Sequence, residues 1–100
     1  MATTTAVFYR GAAATSSTTL YTVPSSTTAI VTEIMVANTT TSAQSFSLSL
    51  NGTSIAASVA IAPSDTQVLG MKQVLSATQI IAGFASTTAV NFSICGVTVA

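Results

Sequence analysis

The clearest pattern in the chain is an alternation of period two. In Gln44–Ala57, QSFSLSLNGTSIAA, Phe46, Leu48 and Leu50 alternate with Ser45, Ser47 and Ser49, as in a strand with one dry and one wet face. Asn51-Gly52 follows, the dipeptide that best tolerates positive φ at both centres of a type I′ turn. A two-residue loop there pairs Leu50 with Thr53, Leu48 with Ile55 and Phe46 with Ala57, and it keeps one apolar face across a β-hairpin.

The same reading predicts strands along the rest of the chain. Thr3–Tyr9 puts Val7 and Tyr9 on one face and Phe8 on the other. Ala12–Ser17 reads as a loop, because one helical turn on its alanines cannot nucleate unaided. Thr18–Val23 is closed by the turn-forming Pro24-Ser25-Ser26. Thr27–Asn38 is the longest strand. Ile30, Ile34 and Val36 share a face with Thr32, while Val31 and Met35 share the other with Glu33, as in a strand covered on both sides. The hairpin's second arm runs to Ile61, and Pro63-Ser64-Asp65 breaks the chain, with Asp65 expected to accept from a nearby backbone N–H. Thr66–Met71 is a strand with a bulge at Gly70. Lys72–Ala77 reads as a linker and Thr78–Phe84 as a strand with Ile80 and Phe84 on one face. In Ala89–Val99, Val90, Phe92 and Ile94 alternate with Asn91, Ser93 and Cys95, and a bulge at Gly96 is expected to swap the faces for Val97 and Val99.

About eight short strands, with no helical period over any long segment, predict an all-β fold. The architecture expected is a single β-sandwich domain over residues 1–100, of mostly antiparallel strands in a jelly-roll or immunoglobulin-like arrangement. Residues 1–10 are a candidate extended N-terminal arm. The predicted core is Val7, Leu20, Ile30, Ile34, Val36, Phe46, Leu48, Leu50, Ile55, Val68, Ile80, Phe84, Val90, Phe92 and Ile94.

Charge changes this picture most. Arg10, Glu33, Asp65 and Lys72 are the only charged side chains and sum to zero, where ordinary domains carry about a quarter charged residues. A surface so weakly charged has little with which to repel its neighbours and suits packing against copies of itself or a larger lattice. Two cations make no patch for phosphates, so a nucleic-acid partner is not expected. No apolar run is long enough for a membrane helix, and MATTTAVFYRG has neither the basic region nor the apolar core of a secretion signal.

Catalytic chemistry finds few residues to work with. There is no histidine, which removes Ser-His and Cys-His nucleophile pairs and imidazole metal ligation. Glu33 and Asp65 would be the only pair for acid–base work, one in mid-strand and one in a turn, with no tryptophan to stack a sugar. No glycine loop cradles phosphate. Cys95 is alone and reads as a packed thiol. Neither an enzyme, a cofactor, a metal nor a small-molecule substrate is expected.

From Leu20 to Val97 the chain resembles small structural proteins of tailed bacteriophages. The run LYTVPSSTTAIVTEIMVANTT is followed by an alternating strand and an NG hairpin, then TQVL, KQVLSATQII and AVNFSICGV. It differs from them in its scarcity of charge and in having Ser25 where a glycine often follows proline. The resemblance implies a virion component, assembled in the host cytoplasm, that acts by binding. The first expectation is a capsid decoration or cement protein that contacts itself and the major capsid protein or another virion protein. A tail or neck module is the alternative within that class, and a cell-surface or pilus-like adhesion module lies outside it. Candidate assembly contacts are Val7, Phe8 and Tyr9 in the arm, the hydroxyl face of Ser45, Ser47 and Ser49, and the similar face of Asn91 and Ser93, since uncharged hydroxyls are cheap to desolvate beside Lys or Glu.

Overall fold

The computed structural model describes residues 3–100, apart from the side chain of Met71. The described residues form eight strands: β1 Thr3–Ala12, β2 Thr18–Thr22, β3 Thr28–Asn38, β4 Gln44–Leu50, β5 Thr53–Ile61, β6 Thr66–Leu75, β7 Ile80–Ala85 and β8 Val90–Val99. They make two antiparallel four-stranded sheets, ordered β1-β8-β3-β6 and β2-β7-β4-β5. First pairs with last, second with seventh, third with sixth and fourth with fifth. This is the order of a jelly roll. In an immunoglobulin sandwich the first strand would neighbour the second.

The hairpin turn is as the dipeptide predicts. Asn51 and Gly52 have φ of 48° and 84°, and Leu50 faces Thr53 across them. Ser49 still faces Ser54, and beyond that pair the predicted register fails, because β5 takes two extra residues. Leu48 faces Ala56 and Phe46 faces Val59, so Ile55 and Ala57 are exposed while Ala56 and Ile61 are buried. Ser58 lies in the second irregularity with φ of 49°, and Ser47 Oγ accepts its N–H at 2.9 Å.

A second set of bulges crosses the first sheet at one level. On either side of Cys95 in β8, β1 adds a residue at Phe8, opposite Ile94–Cys95, and β3 adds one at Thr32, opposite Cys95–Gly96. At the same level β6 adds another between Gly70 and Gln73. A bulge reverses which side chains face inward beyond it. Phe8, not Val7, is therefore in the core, and Val31 displaces Ile30 on the same strand as Ile34 and Val36. The β6 irregularity also carries the strand through the predicted linker to a buried Leu75. No swap occurs at Gly96 itself, because β8 keeps its alternation through that residue. The bulges lie on its neighbours. Gly96 is required because it faces inward: a Cβ there would fall on the Ile30 carbonyl and 2.9 Å from the Phe8 ring.

The core lies between the sheets, around Phe46, Phe92, Ile34, Leu48, Ile61, Ile81 and Ile94. Two aromatic pairs cross the gap. Phe46 meets Phe92 edge-on at 6.3 Å between centroids, and Phe8 meets Tyr21 at 4.7 Å. Val68, predicted inside, faces out because β6 turns Leu69 toward the core opposite Ile34. Ile81 replaces Ile80 for the same reason, through its pairing with Leu50. Phe84 is only half-buried, paired with the outward Ser47.

Asn38 is the buried polar residue at the end of β3. Its amide donates toward the carbonyls of Ser42, Ile61 and Ala62, and its Oδ1 accepts from the Thr40 N–H and hydroxyl. One side chain thus joins the β3–β4 loop to the end of β5 and satisfies polar groups that water cannot reach.

Two variants test these constraints by urea unfolding. Gly96→Ala should cost about 3 kcal/mol, the upper end of overpacking, because the atom it meets is backbone and cannot rotate away. Asn38→Ala should cost about 2–3 kcal/mol, since it strands buried donors and acceptors together. A loss below about 1 kcal/mol in either case would show that the neighbouring backbone yields.

Candidate functional site

The structure keeps the two carboxylates apart. Glu33 is exposed on the outer face of the first sheet, opposite Gly70. Asp65 lies beyond the far end of β3, its carbonyl accepting the Asn38 N–H at 2.8 Å. Five residues of strand separate the two levels, about 17 Å, wider than either glycosidase geometry. Asp65 Oδ1 instead accepts the Thr66 N–H at 2.9 Å, the turn role its sequence context predicts. Among the described residues no three of His, Cys, Asp and Glu gather as a metal site would need. What remains to be read is the pair of outer sheet faces.

Directly paired residues in an antiparallel sheet share a face. The outer face of the first sheet can therefore be read as rows across β1, β8, β3 and β6: Arg10, Ser93, Met35, Val68; then Val7, Cys95, Glu33, Gly70; then Thr5, Val97, Ile30, Val74. Val7, Val68 and Val74 are 52%, 54% and 62% exposed, and Met35 is exposed beside them. Of the five large apolar residues exposed among the described residues, only Ile55 lies elsewhere. Where the bulges cross, Thr5, Val7, Thr32, Cys95 and Val97 line an open hollow of about 420 Å³. Arg10 Nε donates to Ser93 Oγ at 3.3 Å, which holds the guanidinium against the face.

The second sheet is different in kind. None of its four strands carries a charged residue. Its outer face presents Ser45, Ser47 and Ser49, with Ser54 paired to Ser49 and Phe84 paired to Ser47. Ser17, Ser47, Ser49, Ser54 and Phe84 surround a hollow of about 170 Å³. Leu48 and Gly83 complete the lining, so the cleft has an apolar floor and aromatic wall under a rim of hydroxyls.

The candidate contacts separate accordingly. The serine face belongs to the second sheet, whereas Asn91 and Ser93 belong to the outer face of the first. Of the candidate arm, Val7 is on the surface, Phe8 is buried and Tyr9 is half-buried, its hydroxyl donating to the Ala12 carbonyl at 2.6 Å. In the monomer this segment is an edge strand, paired with β8 from Thr3 to Ala12. Met35 shares the outer face with Glu33 as its alternation implies, whereas sequence reasoning put Val68 in the core and Val74 in a linker and so missed both as surface residues of the sheet. Val68-Leu69 and Val74-Leu75 are adjacent apolar pairs, and alternation alone cannot decide which member faces in.

No protein-family model, no curated protein and no solved structure matches this chain.

The serines are not equivalent, which a stability comparison will reveal. Ser47→Ala should cost about 1 kcal/mol, because it frees the N–H of the left-handed Ser58. Ser49→Ala, which breaks no such bond, should fall within about 0.5 kcal/mol of the parent. Equal losses would mean that Ser47 does not hold the bulge.

Proposed function

We propose that the protein is a non-enzymatic structural subunit of a tailed-phage particle, a decoration protein that binds the assembled head in many copies through its uncharged serine face. The observation that carries this reading is the second sheet: four strands without one charge, and an outer face of hydroxyls around a shallow cleft. Lysine and glutamate would have to be stripped of water before a flat protein surface could dock there. Serine hydroxyls exchange water for backbone carbonyls or amides at small cost.

Two further observations support the reading. The jelly roll is a recurrent fold of viral capsid proteins, though lectins and cupins share it, so it supports the class by analogy alone. The resemblance of Leu20–Val97 to phage structural proteins points the same way. A protein that binds the assembled shell and not its free subunits stabilises the shell by mass action, each bound copy adding a small increment. The cleft between Ser47, Ser49 and Phe84 is shaped to take a side chain or loop of the shell.

Co-sedimentation with purified tailed-phage heads tests this, together with inspection of the genes that flank this chain's own for a major capsid protein. Saturable binding and a raised melting temperature of the heads are expected, and Ser49→Lys should abolish both while leaving the monomer's unfolding curve in place. Absence of binding to heads, together with the absence of virion genes in the neighbourhood, would overturn the proposal. Binding to isolated tails and not to heads would move the protein to a tail or neck position.

A further inference from the structure

The outer face of the first sheet is not explained by docking through the second. We propose that it is a self-complementary surface that joins two copies of this chain face to face. The argument rests on area, on the pairing of shapes and on the placement of the two charges within it.

Four strands about 4.8 Å apart and about ten residues long present a face of roughly 600 Å². Covering it on two copies removes about 1,200 Å² from water, the lower edge of specific, stable interfaces. Its content suits burial. Val7, Ile30, Met35, Val68, Val74 and Val97 run across all four strands around Glu33, an apolar face of the size that on a monomer is often functional. No sheet or helix of the chain itself covers it, because the other sheet packs on the opposite side.

A two-fold axis parallel to the strands, between β8 and β3, lays β6 of each copy over β1 of the other. Paired levels are preserved by that rotation. Val74, the most exposed apolar side chain of the set, then falls at the level of Thr5, on the rim of the hollow between β1 and β8. Knob and hole lie on the same face, as an isologous contact requires. The same rotation carries Glu33 to the position of Cys95 on the facing copy, one strand and one row from Arg10. Each copy therefore supplies one anion and one cation to two equivalent pairs. Lys72 lies between Gly70 and Val74 on the edge strand β6 and is exposed, so each copy brings one further cation to the margin of this face. Sheets packed this way sit about 10 Å apart with their strands within about 30° of alignment, so two sandwiches form one four-layered block.

The proposal stands apart from the virion reading. A dimer that ignores heads would sink the latter and leave this one, and a monomer that binds heads would do the reverse. Sedimentation equilibrium of the intact chain, over a wide range of concentration, should give twice the monomer mass. Val68→Lys and Val74→Lys, at exposed positions, should each weaken dimerisation at least tenfold with circular dichroism unchanged and with the parent's unfolding midpoint kept at concentrations where the parent is itself monomeric. Arg10→Glu and Glu33→Arg should each weaken it, and the two together should restore it. Three results would overturn the proposal. The first is a chain that is monomeric at every concentration. The second is a dimer that survives Val68→Lys and Val74→Lys and is lost with Ser49→Lys, which would put the contact on the other sheet. The third is a monomer that loses head binding with Val68→Lys, which would make the shell and not a second copy the occupant.

Discussion

Everything in the sandwich is registered against one turn. The strand pairs β1–β8, β2–β7, β3–β6 and β4–β5 join residues that lie nearly equidistant, along the chain, from Asn51-Gly52. The chain is one long hairpin about that point, and the roll arises when β3 also pairs with β8 and β4 with β7. Local pairing at the turn is cheap in loop entropy, and each outer pair closes a longer loop whose ends the inner pair has already brought together. A different turn, shifted by one residue, would reverse the faces of every strand it feeds. Asn51 and Gly52, with φ in the left-handed region at both positions, set the phase of the fold.

Bulges then correct that phase where the two sheets could not otherwise both face the core. This is where reading from sequence stopped. The alternation in β4 and in Val90–Ile94 was legible because polar and apolar residues differ sharply there, and those residues are buried as predicted. The turn was legible because few dipeptides tolerate its dihedrals. The bulges at Phe8, Thr32 and Ser58 have no comparable signature. Each follows from a neighbour: the inward Gly96, the close approach of Ile30, the hydroxyl of Ser47. Those are contacts between residues distant in sequence. The errors at Val7, Ile30 and Ile55 all trace to them, and a glycine that was read as a bulge proved to be the flat centre around which others bulge.

The surfaces were legible in part for a similar reason. Ser45, Ser47 and Ser49 lie on one outer face, as their alternation implies, but Asn91 and Ser93, which look equivalent in sequence, lie on the opposite side of the molecule. Strand order decides that, and strand order is a property of the whole roll. The apolar outer face was hidden for the complementary reason. Val68 and Val74 each precede a leucine that faces the core, so every apolar residue of β6 could be assigned inside without breaking a rule.

The two faces together explain why the chain can do with so little charge. Charge on a soluble domain mainly keeps neighbours apart, and here three of the four charged residues, Arg10, Glu33 and Lys72, belong to the strands of the first sheet, with Asp65 in the adjoining loop. On that sheet apolar side chains supply the attraction, and a neutral pair of charges can select orientation at little cost in affinity. The second sheet supplies no strong attraction of its own, only a face that is inexpensive to dehydrate. A surface of that kind binds weakly as a single copy and usefully as an array, because a dimer that presents two such faces engages a repeating lattice with the advantage of effective concentration. On the two proposals taken together, the division between an apolar face and a quiet face is one arrangement: joining copies through the first would make the protein bivalent, and bivalency would make the second sufficient.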